Sequence, residues 1–154
     1  MKIPTNIAAW LQFNLYLLTL SGYSADLFTC GKPEELRELK DDPRSLWQFA
    51  VDIIYRGIKC GLIDVWDGGN RAPGTIDYSL ELVKELARFD PRSHHVCWFG
   101  SELEATELCQ SLVDKYGIYN FEQGELCDPF IEEVEALFAH NQVEWSNFPL
   151  VKLG

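Results

Sequence analysis

The chain has 154 residues, 47% hydrophobic and 24% charged, which fits a globular protein and excludes a disordered one. A globule of this length buries about 70% of its extended-chain surface, so one domain with a full core is expected without disulfide or metal staples. The net charge of −11 argues against a nucleic-acid binder, whose affinity comes from cations displacing counterions on phosphates.

In chain order, Thr5 or Asn6 is expected to cap a first helix in which Ile7, Trp10, Leu11, Phe13, Leu15, Leu17, Leu18 and Leu20 leave little polar face. Ser21-Gly22 ends it, and a loop follows through Cys30-Gly31. Pro33 then starts a short surface helix, EELRELKDD, with Leu36 and Leu39 as its apolar edge.

Residues 43–69 organise the chain. Asp42 supplies an N-cap oxygen and Pro43 the first helical position, where a missing N–H costs nothing. From Leu46 to Ile58 apolar side chains cover most of the helix surface. Ser45, Gln48, Asp52, Arg56 and Lys59 form one narrow polar stripe, and Asp52 and Arg56 are spaced to pair at i, i+4. Such a helix must be packed on several sides. Gly57 predicts fraying before the stop at Gly61, at a cost of about 1 kcal/mol against alanine. Leu62 to Trp66 alternates as a strand, closed by Asp67-Gly68-Gly69-Asn70.

After the loop of residues 67–75, Thr75 is expected to cap a helix from Ile76 to Phe89. Ile76, Leu80, Val83, Leu86 and Ala87 would face in, and Asp77, Glu81, Lys84 and Arg88 out. Pro91 stops it. His95 to Phe99 reads as a second short strand, with the segment at 62–66 as its pairing partner. Ser101 and Glu104 form a capping box for a helix with Ala105, Leu108, Cys109, Leu112, Val113 and Tyr116 on its inner stripe, stopped at Gly117. Glu104, Glu107, Ser111 and Asp114 would face out. A loop rich in acids and aromatics leads to Asp128-Pro129, a second N-cap and proline pair. The last helix turns Phe130, Ile131, Val134, Leu137 and Phe138 inward and Glu132, Glu133 and Glu135 outward. The tail is a short strand near Pro149 or an irregular arm. The fold class is mainly α (α+β), a single domain of five or six helices with two or three short strands.

The five cysteines stand at least twelve residues apart and show no zinc spacing, so free thiols in a reducing cytoplasm are expected. The apolar run from Ile7 to Leu20 contains Gln12 and Asn14 and lacks a small-x-small cleavage site. It reads neither as a signal peptide nor as a membrane span. His94, His95 and Cys97 are the nearest approach to a metal constellation, yet adjacent strand residues point to opposite faces and no second ligand pair accompanies them. Asp64 and Asp67 at a strand end are candidate catalytic carboxylates, but aspartates beside glycines are commonly turn formers. No phosphate loop or dinucleotide fingerprint occurs. No catalytic residue, metal or cofactor is therefore expected.

The strongest non-random feature is the distribution of charge. Residues 1–92 carry 11 basic and 13 acidic side chains, whereas residues 93–154 carry Lys115 and Lys152 against 11 carboxylates. Between residues 101 and 135, Glu102, Glu104, Glu107, Asp114, Glu122, Glu125, Asp128, Glu132, Glu133 and Glu135 stand against Lys115 alone. Screening reaches only about 8 Å at physiological salt, so charges closer than that act as one field that steers a cationic partner. Tyr116, Tyr119 and Phe121 are candidate apolar anchors beside them. For any single glutamate, a solvated face that keeps the protein soluble is the simpler reading.

The block WQFAVDIIYRGIKCGLIDVW (Trp47 to Trp66), followed by acid-rich helices, resembles the small acidic immunity proteins of bacterial polymorphic toxin systems, especially contact-dependent growth inhibition. The resemblance implies a cytoplasmic protein without chemistry of its own, binding the toxic C-terminal domain, often a nuclease, of a cognate effector. The alternatives are an adaptor binding another basic partner or forming a homodimer, and a small hydrolase joining Asp64 or Asp67 to His94.

Overall fold

The computed structural model describes residues 2–31, 34–66 and 78–154. Among them are seven helices: α1 (Thr5–Leu20), α2 (Glu34–Asp41), α3 (Pro43–Lys59), α4 (Tyr78–Arg88), the single turn α5 (Val96–Phe99), α6 (Glu107–Tyr116) and α7 (Asp128–His140). Three short strands, β1 (Tyr23–Ser24), β2 (Ile63–Trp66) and β3 (Glu102–Ala105), form one antiparallel sheet in the order β1-β3-β2. The chain is thus mainly helical with a small β element, and one continuous apolar core joins α1, α3, α4, α6, α7 and the sheet. Pro33, the turn and loop of residues 67–75 with Asp67, the Thr75 cap, Ile76 and Asp77 lie outside the described residues.

Helix α3 is the centre of this arrangement. Asp42 caps it, accepting from Ser45 N, and Pro43 opens it. Phe49 packs against Trp10 and Trp145, with ring centroids 5.4 and 6.3 Å away, and Trp47 Nε1 donates to Leu86 O at 2.7 Å. The helix does not fray at Gly57. A Cβ there would meet Ile63 Cδ1 at 2.3 Å, so the glycine lets β2 fold back against its own helix. Gly61 takes the left-handed conformation (φ 72°), and the bonds Gly61 N to Ile58 O and Leu62 N to Gly57 O close the helix as a Schellman motif.

In the polar stripe of α3, Ser45 and Gln48 are half-buried, Lys59 is exposed and Asp52 and Arg56 are buried; the last two bond to the C-terminal arm, residues 143–154, instead of pairing with each other. Arg56, 2% exposed, donates to the carbonyls of Val143, Glu144, Trp145 and Asn147 at 2.7–3.4 Å. Asp52, 1% exposed, accepts from Leu150 N and Val151 N, and Gln48 Nε2 donates to Val151 O. Burial raises the Asp52 pKa despite these bonds and lowers that of Arg56. The arm is irregular, contains a cis Phe148–Pro149 bond, and ends with Gly154 N on Ala87 O.

Several local expectations need correction. Helix α1 begins at Thr5 behind Pro4, without a side-chain cap from Thr5 or Asn6. The segment after it holds β1 and a 3-10 turn, Ala25–Thr29, instead of a plain loop. His95–Phe99 is no strand: His95 Nδ1 accepts from Cys97 N and starts α5, while Cys97 and Trp98, neighbours in sequence, are both buried, which strand alternation forbids. The partner of β2 is instead β3, with Ile63 opposite Ala105 and Trp66 opposite Glu102. Ser101 and Glu104 consequently form no capping box. Thr106 caps α6 by accepting from Cys109 N and also donates to Gly61 O, fixing the start of α6 against the end of α3. Finally, Leu80 and Leu108 face out and Leu82 faces in, and Asp128 is the first residue of α7 behind Cys127.

Candidate functional site: a groove and exposed carboxylates on two helices

Helix α6 starts at the Thr106 cap and ends at Gly117 in the left-handed conformation (φ 59°), and its inner residues Cys109, Leu112 and Val113 enter the core. Helix α7 opens with Asp128-Pro129 and buries Phe130, Ile131, Val134 and Phe138. Lys115 at the end of α6 meets Glu133 on the first half of α7, and Leu108 at the start of α6 lines a common groove with Leu137 and His140. The two helices therefore lie antiparallel. The groove between them has a volume of about 480 Å³ and is also lined by Leu112, Glu133 and Ala136.

Its lining is apolar apart from Glu133 and His140. Leu108 is 40% exposed on one wall, and Ala136 stands exposed on the other. Glu107, Asp114, Asp128 and Glu132 are exposed and form no ion pair among the described residues. One end of the groove carries the pair of Lys115 Nζ and Glu133 Oε1 at 2.6 Å; the hydrogen bond holds the Glu133 pKa below its ordinary value and raises that of Lys115. The other oxygen, Glu133 Oε2, is buried without a hydrogen-bond partner among the described residues.

The remaining expected contact residues go to different places. Glu102 and Glu104 are half-buried on β3, away from the helical face on which Glu104 was expected, and Glu102 folds over Gly22, where a Cβ would meet its Oε1 at 2.1 Å. In the loop before α7, Tyr119 is 60% exposed, while Phe121 packs partly into the core. Glu125 Oε1 accepts from Glu122 N, and the Glu125 carbonyl accepts from buried Gln12, whose own oxygen receives Cys127 N. Glu135 accepts from the backbone of Lys2 and Ile3, tying the start of the chain to α7. Glu107, Asp114, Tyr119, Glu122, Glu125, Asp128 and Glu132 thus remain exposed, whereas Glu102, Glu104, Phe121 and Glu135 are partly buried.

Comparisons of the chain with protein-family models, curated proteins and solved structures give no match.

The residues weighed for chemistry hold structural posts. Asp64 Oδ1 accepts from Ser79 Oγ and from Val65 N, both at 2.9 Å; Asp67 lies outside the described residues. His95 stacks on Phe89 with ring centroids 3.6 Å apart, in addition to capping α5, and His94 stacks on Phe99. Burial pushes the thiols of Cys60 and Cys97 up to about 11 and that of Cys109 up to about 12, which keeps them protonated and unreactive at neutral pH. Among the described residues, no group of three or more His, Cys, Asp or Glu is placed to hold a metal ion, and no helix is long and apolar enough to cross a membrane. Sequence reasoning missed the groove because it counted Leu108 and Leu137 as core. The sequence carried no signal for it, because Leu108 falls on the ordinary i, i+3, i+4 stripe of a core-facing helix.

Proposed function

We propose that this protein acts in the bacterial cytoplasm as an immunity protein, neutralising the basic toxic domain of a cognate effector by stoichiometric binding through the α6–α7 face. The observation that carries this reading is the exposed set Glu107, Asp114, Asp128 and Glu132, which form no ion pair among the described residues, on the two helices that flank an apolar groove. Charges satisfied internally would not steer a partner; these retain their field in solvent. The groove adds the desolvated contact that long-range attraction alone does not provide. The resemblance of the Trp47-to-Trp66 block and its acidic helices to immunity proteins supports the same reading. The test is co-expression with the C-terminal domain of a toxin effector whose gene adjoins that of this protein. Co-purification as a 1:1 complex and rescue of growth are expected, and failure of both would remove the reading.

A second reading, an adaptor that self-associates, is favoured by Val96 and Phe99, which stand 68% and 49% exposed on α5. It predicts a dimer on a sizing column that Phe99→Ser dissociates.

A further inference from the structure

We propose that the hollow between α7 and the C-terminal arm receives one lysine or arginine side chain of the partner, its stem along Ala136, Ala139 and Trp145 and its cationic head among Glu132, Glu135 and Glu144. The inference rests on a basic partner meeting the α6–α7 face, and it names an anchor point beside that face.

The order of residues in α7 builds the hollow. Glu132, Glu135, Ala136 and Ala139 fall at i, i+3, i+4 and i+7 and so share one side of the helix. The two alanines leave space that longer side chains would fill. Glu144 and Trp145 of the arm, buried Phe138 and Lys2 complete the lining. The volume is about 250 Å³, room for one long side chain and less than a drug-sized ligand needs. Trp145 is held by the Phe49 ring and the Arg56 guanidinium, 6.3 and 5.0 Å from its own ring, so this wall is in place before a partner arrives. Ala136 also lines the α6–α7 groove, and the two hollows therefore adjoin.

Charge decides the occupant. The lining itself holds three carboxylates and one ammonium, and its other side chains are apolar. Glu132 is exposed and forms no ion pair among the described residues. Glu135 is fixed by Lys2 N and Ile3 N at 2.9–3.1 Å, and its Oε2, which shares one of these donors, can accept another. Glu144 meets Lys2 Nζ at 3.7 Å, with side chains 41% and 66% exposed, a pair too long and too wet to resist a competitor. Lys2 is thus the chain's own example of the cation that this hollow draws. A long basic side chain matches both parts, because its methylene stem covers apolar surface while its head stays at the carboxylates. A second copy of this chain, at a net charge of −11, is repelled instead.

The experiment uses the full-length protein and three tripeptides blocked at both ends, glycyl-arginyl-glycine, its lysine counterpart and its neutral citrulline counterpart. Amide and indole resonances of the protein are followed during titration. The arginine and lysine peptides are expected to shift residues 132–139 and 144–145 and to bind at least about tenfold more tightly than the citrulline peptide at low salt. Ala139→Leu fills the hollow from an exposed position outside the core, so it should abolish these shifts and leave the remaining spectrum unchanged. Glu132→Gln/Glu144→Gln keeps the hollow open and should weaken binding at least about threefold. No shifts, equal binding of the three peptides, shifts centred on residues 107–114, or undiminished binding by either variant would each overturn the inference. Growth rescue is scored separately. Failed rescue with the peptide shifts intact sinks the immunity reading and leaves the hollow as an anchor for another basic protein, whereas rescue without the shifts sinks the hollow alone.

Discussion

The C-terminal half of α3 and the outer face of α6 and α7 both carry ionisable side chains, with opposite fates. Asp52 and Arg56 are almost fully buried, and their hydrogen bonds reach six backbone groups of the arm, four carbonyls and two amides. Glu107, Asp114 and Glu132 are exposed and form no ion pair among the described residues. A buried charge bonded to the backbone of another segment ties the two together. An exposed one contributes little to stability and remains available to a partner. Charge density alone does not separate the two regions; the destination of the hydrogen bonds does.

The largest expected effect comes from breaking the buried side of this contrast. Arg56→Ala strands four carbonyls and removes the guanidinium lying 5.0 Å from the Trp145 ring. A loss of about 3–5 kcal/mol is expected, read from urea unfolding, and the arm should become open to proteolysis. An unfolding midpoint equal to that of the wild type would mean that Arg56 does not hold the arm. Gly57→Ala comes next and has a diagnostic sign. If Gly57 only weakened the helix, alanine would stabilise by about 1 kcal/mol. Because its Cβ would collide with Ile63, a destabilisation of about 1–3 kcal/mol is expected instead.

Asp52→Asn gives a smaller effect that depends on pH. Burial raises the Asp52 pKa above its ordinary value of 3.8, so the folded protein holds that proton more tightly than the unfolded chain does. Its favourable contribution is complete below the ordinary value and is lost as pH rises through the native one. The stability of wild type relative to Asp52→Asn should therefore be greatest near about pH 3.5 and smaller near about pH 7, measured by urea melts at both. A constant difference would show that Asp52 titrates as it does in the unfolded chain.

The parts of the fold that the sequence revealed are those where local and tertiary preferences agree. The Asp42-Pro43 cap, the apolar girth of α3 and the alternation of Ile63 to Trp66 all lead to the same structure. Glu102-Leu103-Glu104-Ala105 is made of residues that favour helix, and only its place between β1 and β2 holds it extended. The i, i+4 spacing of Asp52 and Arg56 suggested a local pair, because the arm that claims both begins nearly ninety residues later. The acidic bias of the second half was plain in the composition. Which carboxylates stay exposed was not, because this depends on the backbone amide of Lys2, which holds Glu135, and on the glycine at residue 22, over which Glu102 folds.

The account is tested most directly by the association rate with the C-terminal domain of the proposed effector, compared between wild type and the charge-reversed variant Glu107→Lys/Asp114→Lys/Glu132→Lys. These positions lie outside the core, so the unfolding midpoint should change only by the equivalent of about 0.5 kcal/mol at each site. Association of the variant should be at least about tenfold slower at low salt, with the difference shrinking as salt is raised. Equal association rates across that range, in a variant that remains folded, would contradict the assignment of the α6–α7 face as the partner surface.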